Sequence, residues 1–172
     1  MIWPFHKNKA KKLYDTLATM SRRPDIYTEK GVPDTLDGRY EMLSLLCALT
    51  MLRLQELGQS GERLSQDLFD QFFKNTELSL REAGVGDLAV PKHMRRMMQG
   101  FNGRITTLSE ALSREGAEQD QEIEGHLKRN LYSTLDNPDQ DRVELMVDYV
   151  KNFVHSMRRH DLDSLKNGEI KI

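Results

Sequence analysis

The sequence predicts an all-α, single-domain bundle of about seven helices. Three observations carry this expectation. Apolar residues recur at steps of three and four along almost the whole chain, the spacing that puts them on one face of a helix. No segment of four or more residues alternates cleanly, and the Val- and Ile-rich runs of a parallel sheet are missing. The length, 172 residues, suits one domain, since domains commonly run to roughly 100–150 residues.

Taken in order, residues 9–23 carry Leu13, Leu17 and Met20 on one stripe. Arg22-Arg23-Pro24 closes this helix, because a residue before proline is pushed out of the α region. A connector from Asp25 to Pro33 follows, holding Ile26, Tyr27 and Val32. The next helix is expected to open at Asp34 or Thr35 and to run to Leu57, with Gly58 ending it. Leu36, Tyr40, Leu43, Cys47, Leu54 and Leu57 make one face, and Met42, Leu45, Leu46 and Leu49 widen it. A helix this apolar is central.

Residues 62–76 show Leu64, Leu68, Phe69, Phe72 and Phe73, and a shorter piece holds Leu78, Leu80 and Val85 before Gly84 and Gly86 stop it. Val90 to Ser113 reads as one helix. Gly100 and Gly103 are unfavourable inside it, at about 1 kcal/mol each against Ala, so close packing or a kink is expected there. Residues 117–132 place Ile123, Leu127 and Leu131 four apart. Asn137-Pro138 announces the last helix, with proline at its first position, and Val143 to Met157 form its apolar stripe. The organisation expected is a terminal extension over 1–8, a helical domain over 9–160 and a polar tail over 161–172.

Composition excludes several classes. With 25 Lys+Arg against 27 Asp+Glu and a net charge of −2, the chain lacks the basic balance of a nucleic-acid-binding domain, so no nucleic-acid partner is expected. The longest uncharged apolar stretch, Met42–Leu52, is 11 residues, against about 20 for a membrane-spanning helix. No transmembrane segment is expected. The single Cys47 cannot form an internal disulfide and fits a reducing, cytoplasmic setting.

The first residues place Trp3 and Phe5 ahead of Lys7, Lys9, Lys11 and Lys12. A secretory signal has its charge first and its apolar run second, so none is expected here. Two readings remain: an apolar end docked on the domain, or a peripheral foothold on an inner membrane. Charge is also uneven. Residues 1–30 hold seven basic and three acidic residues, whereas 115–148 hold ten acidic and three basic. Solvated helix faces account for this, as would a basic side turned to an anionic membrane or ribosome.

Catalytic constellations are sought without success. Gly84-Val85-Gly86-Asp87-Leu88-Ala89 matches the dinucleotide pattern in letters, yet it follows a helix where that fingerprint must follow a strand. It reads as a helix cap and turn. The five histidines include no pair three or four apart, so none can share a metal on one helix face. Cys47 sits in an apolar run as a core thiol, and Ser60 lacks the glycine spacing of a nucleophile elbow. Asp136 to Asp141 misses the glycine of a calcium loop and has Pro138 at a ligand position. Neither cofactor nor metal is expected.

Lys92-His93-Met94-Arg95-Arg96-Met97-Met98 is an unusual patch. Its methionines fit a core, or an adaptable surface for apolar partner helices.

Val32-Pro33-Asp34-Thr35-Leu36-Asp37-Gly38-Arg39-Tyr40-Glu41-Met42-Leu43, Leu80-Arg81-Glu82-Ala83-Gly84-Val85-Gly86-Asp87-Leu88, Phe101-Asn102-Gly103-Arg104 and Leu127-Lys128-Arg129-Asn130-Leu131-Tyr132 together resemble the ubiquinol–cytochrome c chaperone family. The likeness spans roughly residues 10–135. It implies a helical, non-enzymatic factor for assembly of respiratory complex III whose client is newly made cytochrome b. By analogy with mitochondrial members it also implies a small partner protein and the ribosome. Lacking an Arg/Ser-rich presequence, the chain looks like a bacterial-type member.

Within these motifs Pro33, Gly38, Gly84 and Gly86 are expected as backbone devices. Asp34, Asp37, Arg39, Arg81, Glu82, Asp87 and Arg104 are expected either to close a buried ion-pair network or to meet a partner at the surface. Phe72, Phe73, Met94, Met97 and Met98 are the candidate client surface, because a chaperone of a membrane protein needs exposed apolar groups. Rival readings are an adaptor that binds another protein through the Val143–Met157 stripe, and a tetrapyrrole carrier.

Overall fold

A computed structural model describes the backbone of residues 4–171 and the side chains of residues 9–171. The described residues form eight helices and no strand: α1 (Pro4–Ser21), α2 (Pro24–Thr28), α3 (Leu36–Gln55), α4 (Gly58–Glu82), α5 (Val90–Leu112), α6 (Gly116–Arg129), α7 (Gln140–Arg158) and α8 (Leu162–Lys166). The expected connector contains the extra helix α2, which Pro24 starts at its first position. The two pieces expected between residues 62 and 85 are one continuous helix, α4.

α3 is the central element, packed by α1, α4, α5 and α7. Its start is set by Thr35, whose hydroxyl accepts from the Gly38 amide at 3.1 Å, satisfying a first-turn donor. Gly38 is required here: a Cβ on it would lie 1.9 Å from the Pro33 carbonyl oxygen. Met42, Leu45, Leu46, Cys47, Ala48, Leu49, Met51 and Leu54 are all buried, so both sides of this helix face protein. Burial pushes the Cys47 thiol pKa far up, leaving a protonated core residue.

α4 ends in a Schellman turn. The Gly84 amide reaches the Arg81 carbonyl and the Val85 amide the Leu80 carbonyl, each at 3.0 Å, with Gly84 at φ +85°. Proline does not open α7 as expected. Asp139 is the cap, its carboxylate accepting from the amides of Asp141 and Arg142, and Pro138 lies before it.

α5 runs unbroken past Gly100 and Gly103. A Cβ on Gly103 would meet nothing within 4 Å, so close packing does not explain it, whereas one on Gly100 would lie 2.9 Å from Arg104 Nη1. The segment 161–172 is more than polar chain: α8 buries Leu165 completely, and Thr16 of α1 donates to the Gly168 carbonyl at 3.0 Å.

Candidate functional site

The heart of the bundle is an aromatic cluster built by α3, α4 and α5. Phe72 and Phe73 meet edge to face at 4.9 Å between centroids, Phe72 and Phe101 lie 5.2 Å apart, and Tyr40 stacks on Phe72 at 5.7 Å. Phe72 and Phe73 are 1% and 2% exposed. They are core, and the expectation that they offer a client surface is corrected. Three aromatic rings of α4, Phe69, Phe72 and Phe73 at i, i+3 and i+4, share one face, and α3 and α5 close over it. Met94, Met97 and Met98 are half-buried, packed on the edge of the same core.

The Val143–Met157 stripe is also interior: Val143, Met146, Val150, Phe153 and Met157 are buried. It holds α7 in the bundle, and of the stripe only Val154 stays half-buried.

The charged motif residues do not converge. Arg39 pairs with Asp34 across an exposed turn at 2.7 Å, holding the Asp34 carboxyl below its usual range. Arg81 holds Glu77 and Asp87 in a second exposed group. Asp37 and Glu82 are exposed. Only Arg104 is drawn inward, pairing with Glu41 at 2.5 Å where both side chains are largely covered. The single buried network is therefore corrected to two surface pairings and one inner pair, because Asp34, Arg39, Arg81 and Asp87 stand on exposed turns and helix ends while Arg104 alone faces α3 from within α5.

Around the inner pair lies a polar seam between α3, α5 and α6. His126 is buried, its Nδ1 2.9 Å from the Thr107 hydroxyl. Burial, with Arg129 and Arg104 nearby, lowers its pKa to about 4, so the ring is neutral near pH 7. Burial raises Glu41 to about 7, with Arg104 pulling the other way. The cavity enclosed by Glu41, Ser44, Arg104, His126 and Asn130 is only about 10 Å³, room for about one water. A tetrapyrrole does not fit in this cavity. Among the described residues no cluster of three or more His, Cys, Asp or Glu side chains could hold a metal ion.

The larger opening is a groove of about 430 Å³ between α3, α5 and α7. Leu49, Leu52, Leu112, Val154 and Met157 form its apolar floor, with Arg53, Glu56 and Arg158 at the rim. Arg53 fixes the wall that α7 supplies, donating from Nε to the Met157 carbonyl at 3.2 Å. Sequence reasoning missed this site, since each residue reads locally as core and the groove exists only where three helix ends diverge.

Trp3, Phe5 and Lys7 lie outside the residues whose side chains are described. Lys11 and Lys12 are exposed, Lys9 half-buried, and Lys11 pairs with Asp15. No described helix is long and apolar enough to cross a membrane.

Residues 28–172 match the model of the family described as Ubiquinol-cytochrome C chaperone. The chain is 22% identical over 166 residues to ubiquinol-cytochrome-c reductase complex assembly factor 1 of Xenopus laevis, covering 95% of this chain and 80% of that protein. It superimposes on the crystal structure of the Cbp3 homolog from Brucella abortus with a TM-score of 0.83 and 30% identity, covering 97% of this chain and 90% of that one.

Proposed function

The chain belongs to the ubiquinol–cytochrome c chaperone family, and on that premise we propose that it is a non-enzymatic assembly factor that holds newly made cytochrome b during biogenesis of the ubiquinol–cytochrome c reductase complex. The family match over residues 28–172 carries the reading. The groove between α3, α5 and α7 supplies a physical means. An apolar client helix laid along Leu52, Leu112 and Val154, which are only half-buried, removes their remaining surface from water and gains the ordinary hydrophobic term. Binding and release of this kind need no bond chemistry. A small partner protein and the ribosome are proposed by analogy alone; a peripheral foothold on an inner membrane is proposed from Trp3 and Phe5 followed by Lys7, Lys9, Lys11 and Lys12.

The test is capture of the client. Tagged protein should recover cytochrome b from cells making it, and deletion of the chain should lower the assembled complex. Leu52→Asp and Val154→Asp put charge in the groove at half-buried positions and should abolish recovery while the fold persists. Unchanged complex levels after deletion sink the reading.

A further inference from the structure

The turn between α4 and α5 carries Leu88, 99% exposed, the most exposed large apolar side chain among the described residues. Leu78, one turn before the end of α4, is 50% exposed. The amides of Ala89 and Val90 both bond to the Gly86 carbonyl, so the helical phase of α5 already holds at Leu88. Leu88 therefore lines up with Pro91, Lys92 and Arg95 at i+3, i+4 and i+7, and Arg96 flanks them. All four are exposed. Lys92, Arg95 and Arg96 have no ion-pair partner among the described residues; of the nearby carboxylates, Glu77 and Asp87 are held by Arg81 and Glu82 stands exposed. From Lys74 to Arg96 stand five basic and three acidic residues, a local excess in a chain whose net charge is −2.

A bare leucine inside a collar of free cations is the pattern of a lipid interface, where the apolar group enters the acyl boundary and the cations meet phosphates. A single-stranded nucleic acid would need stacking rings, and the only Phe, Tyr or Trp from 74 to 104, Phe101, is fully buried. We propose that the α4–α5 turn is a foothold on anionic phospholipid membranes, with Leu88 inserted and Lys92, Arg95 and Arg96 on the headgroup phosphates. This foothold is separate from residues 1–8 and goes beyond the assembly reading. It sets the chain on the surface where an apolar client emerges.

The full chain is sedimented with vesicles of phosphatidylcholine alone, or of phosphatidylcholine and phosphatidylglycerol in equal parts. Binding is expected only to the mixed vesicles and should fall with added salt. Replacing Lys92, Arg95 and Arg96 together by Gln should weaken it about 100-fold, at roughly fivefold per cation, and Leu88→Ser roughly tenfold. These side chains are exposed, so thermal unfolding should be unchanged in both variants. Equal binding to both vesicles, or Leu88→Ser binding as well as the native chain, overturns the proposal. So does binding lost only on deletion of residues 1–8, or polyuridine binding without vesicle binding, which assigns the cations to nucleic acid. The assay contains no client, so its failure leaves the assembly reading standing.

Discussion

The guanidinium of Arg53, near the end of α3, closes the carboxyl end of α7. Its Nε donates to the Met157 carbonyl at 3.2 Å, and Nη2 lies 3.4 Å from the carbonyls of Arg158 and His160. These are the acceptors a helix end leaves open, and a cation there also meets the negative pole of the dipole. Arg53 thus ties the two walls of the groove. Arg53→Met should lower unfolding free energy by about 1–3 kcal/mol, since it strands partly buried acceptors. Arg53→Lys should recover less than half, because an ammonium lacks the planar fork. Urea denaturation measures both.

Two glycines should respond with opposite sign. Gly38→Ala forces a methyl to within 1.9 Å of the Pro33 carbonyl and must displace backbone, so a loss of about 3 kcal/mol or more is expected. Gly103→Ala meets open space and should gain about 1 kcal/mol from helix propensity alone. A lower melting temperature for the Gly103 variant would show a role that its surroundings do not.

The polar seam predicts opposed pH effects. His126 is lowered to about 4 from 6.5, so its contribution is complete above pH 6.5 and is lost as pH falls toward 4. Glu41 is raised to about 7 from 4.5. Its contribution is complete below pH 4.5 and is lost as pH rises through 7. The two slopes offset each other between about pH 4.5 and 6.5. Glu41→Gln should therefore steepen the loss of stability on acidification from pH 6.5. His126→Gln should reverse it, leaving a protein that gains stability as pH falls from 7 to 5. Thermal unfolding across that range distinguishes them.

Phe72→Ala should destabilise by about 3–5 kcal/mol, the usual result of emptying a buried aromatic site. Met97→Ala, at a half-buried position, should lose about half as much or less. Circular dichroism melts of the two variants test the corrected assignment of the phenylalanines. Equal, small losses would return Phe72 to the surface.

Helix identity was legible wherever one local signal sufficed. Thr35 before Leu36 and Gly84 after the Leu80–Ala83 turn each mark an end with a physical cause, and the structure uses both there; Gly58, expected to end the second helix after Leu57, instead opens α4, since α3 already stops at Gln55. Gly61 shows the limit. Its Cβ would lie 2.0 Å from the Leu54 carbonyl, yet the sequence shows only a glycine in a turn. The short α2 was missed because five residues carry no full period. The candidate surface was missed for a related reason: period locates an apolar face but does not count the helices that cover it.

The amino-acid sequence by itself determined that this chain is helical, where several helix ends lie, that α3 is central, and which family its motifs resemble. All of these rest on residues close along the chain. Tertiary structure alone decided that Phe72 and Phe73 are sealed between α3 and α5, that Glu41 meets Arg104 across 63 positions, and that a groove opens beside Arg53. Burial and long-range pairing depend on how helix axes cross, and many crossings satisfy the same apolar stripe.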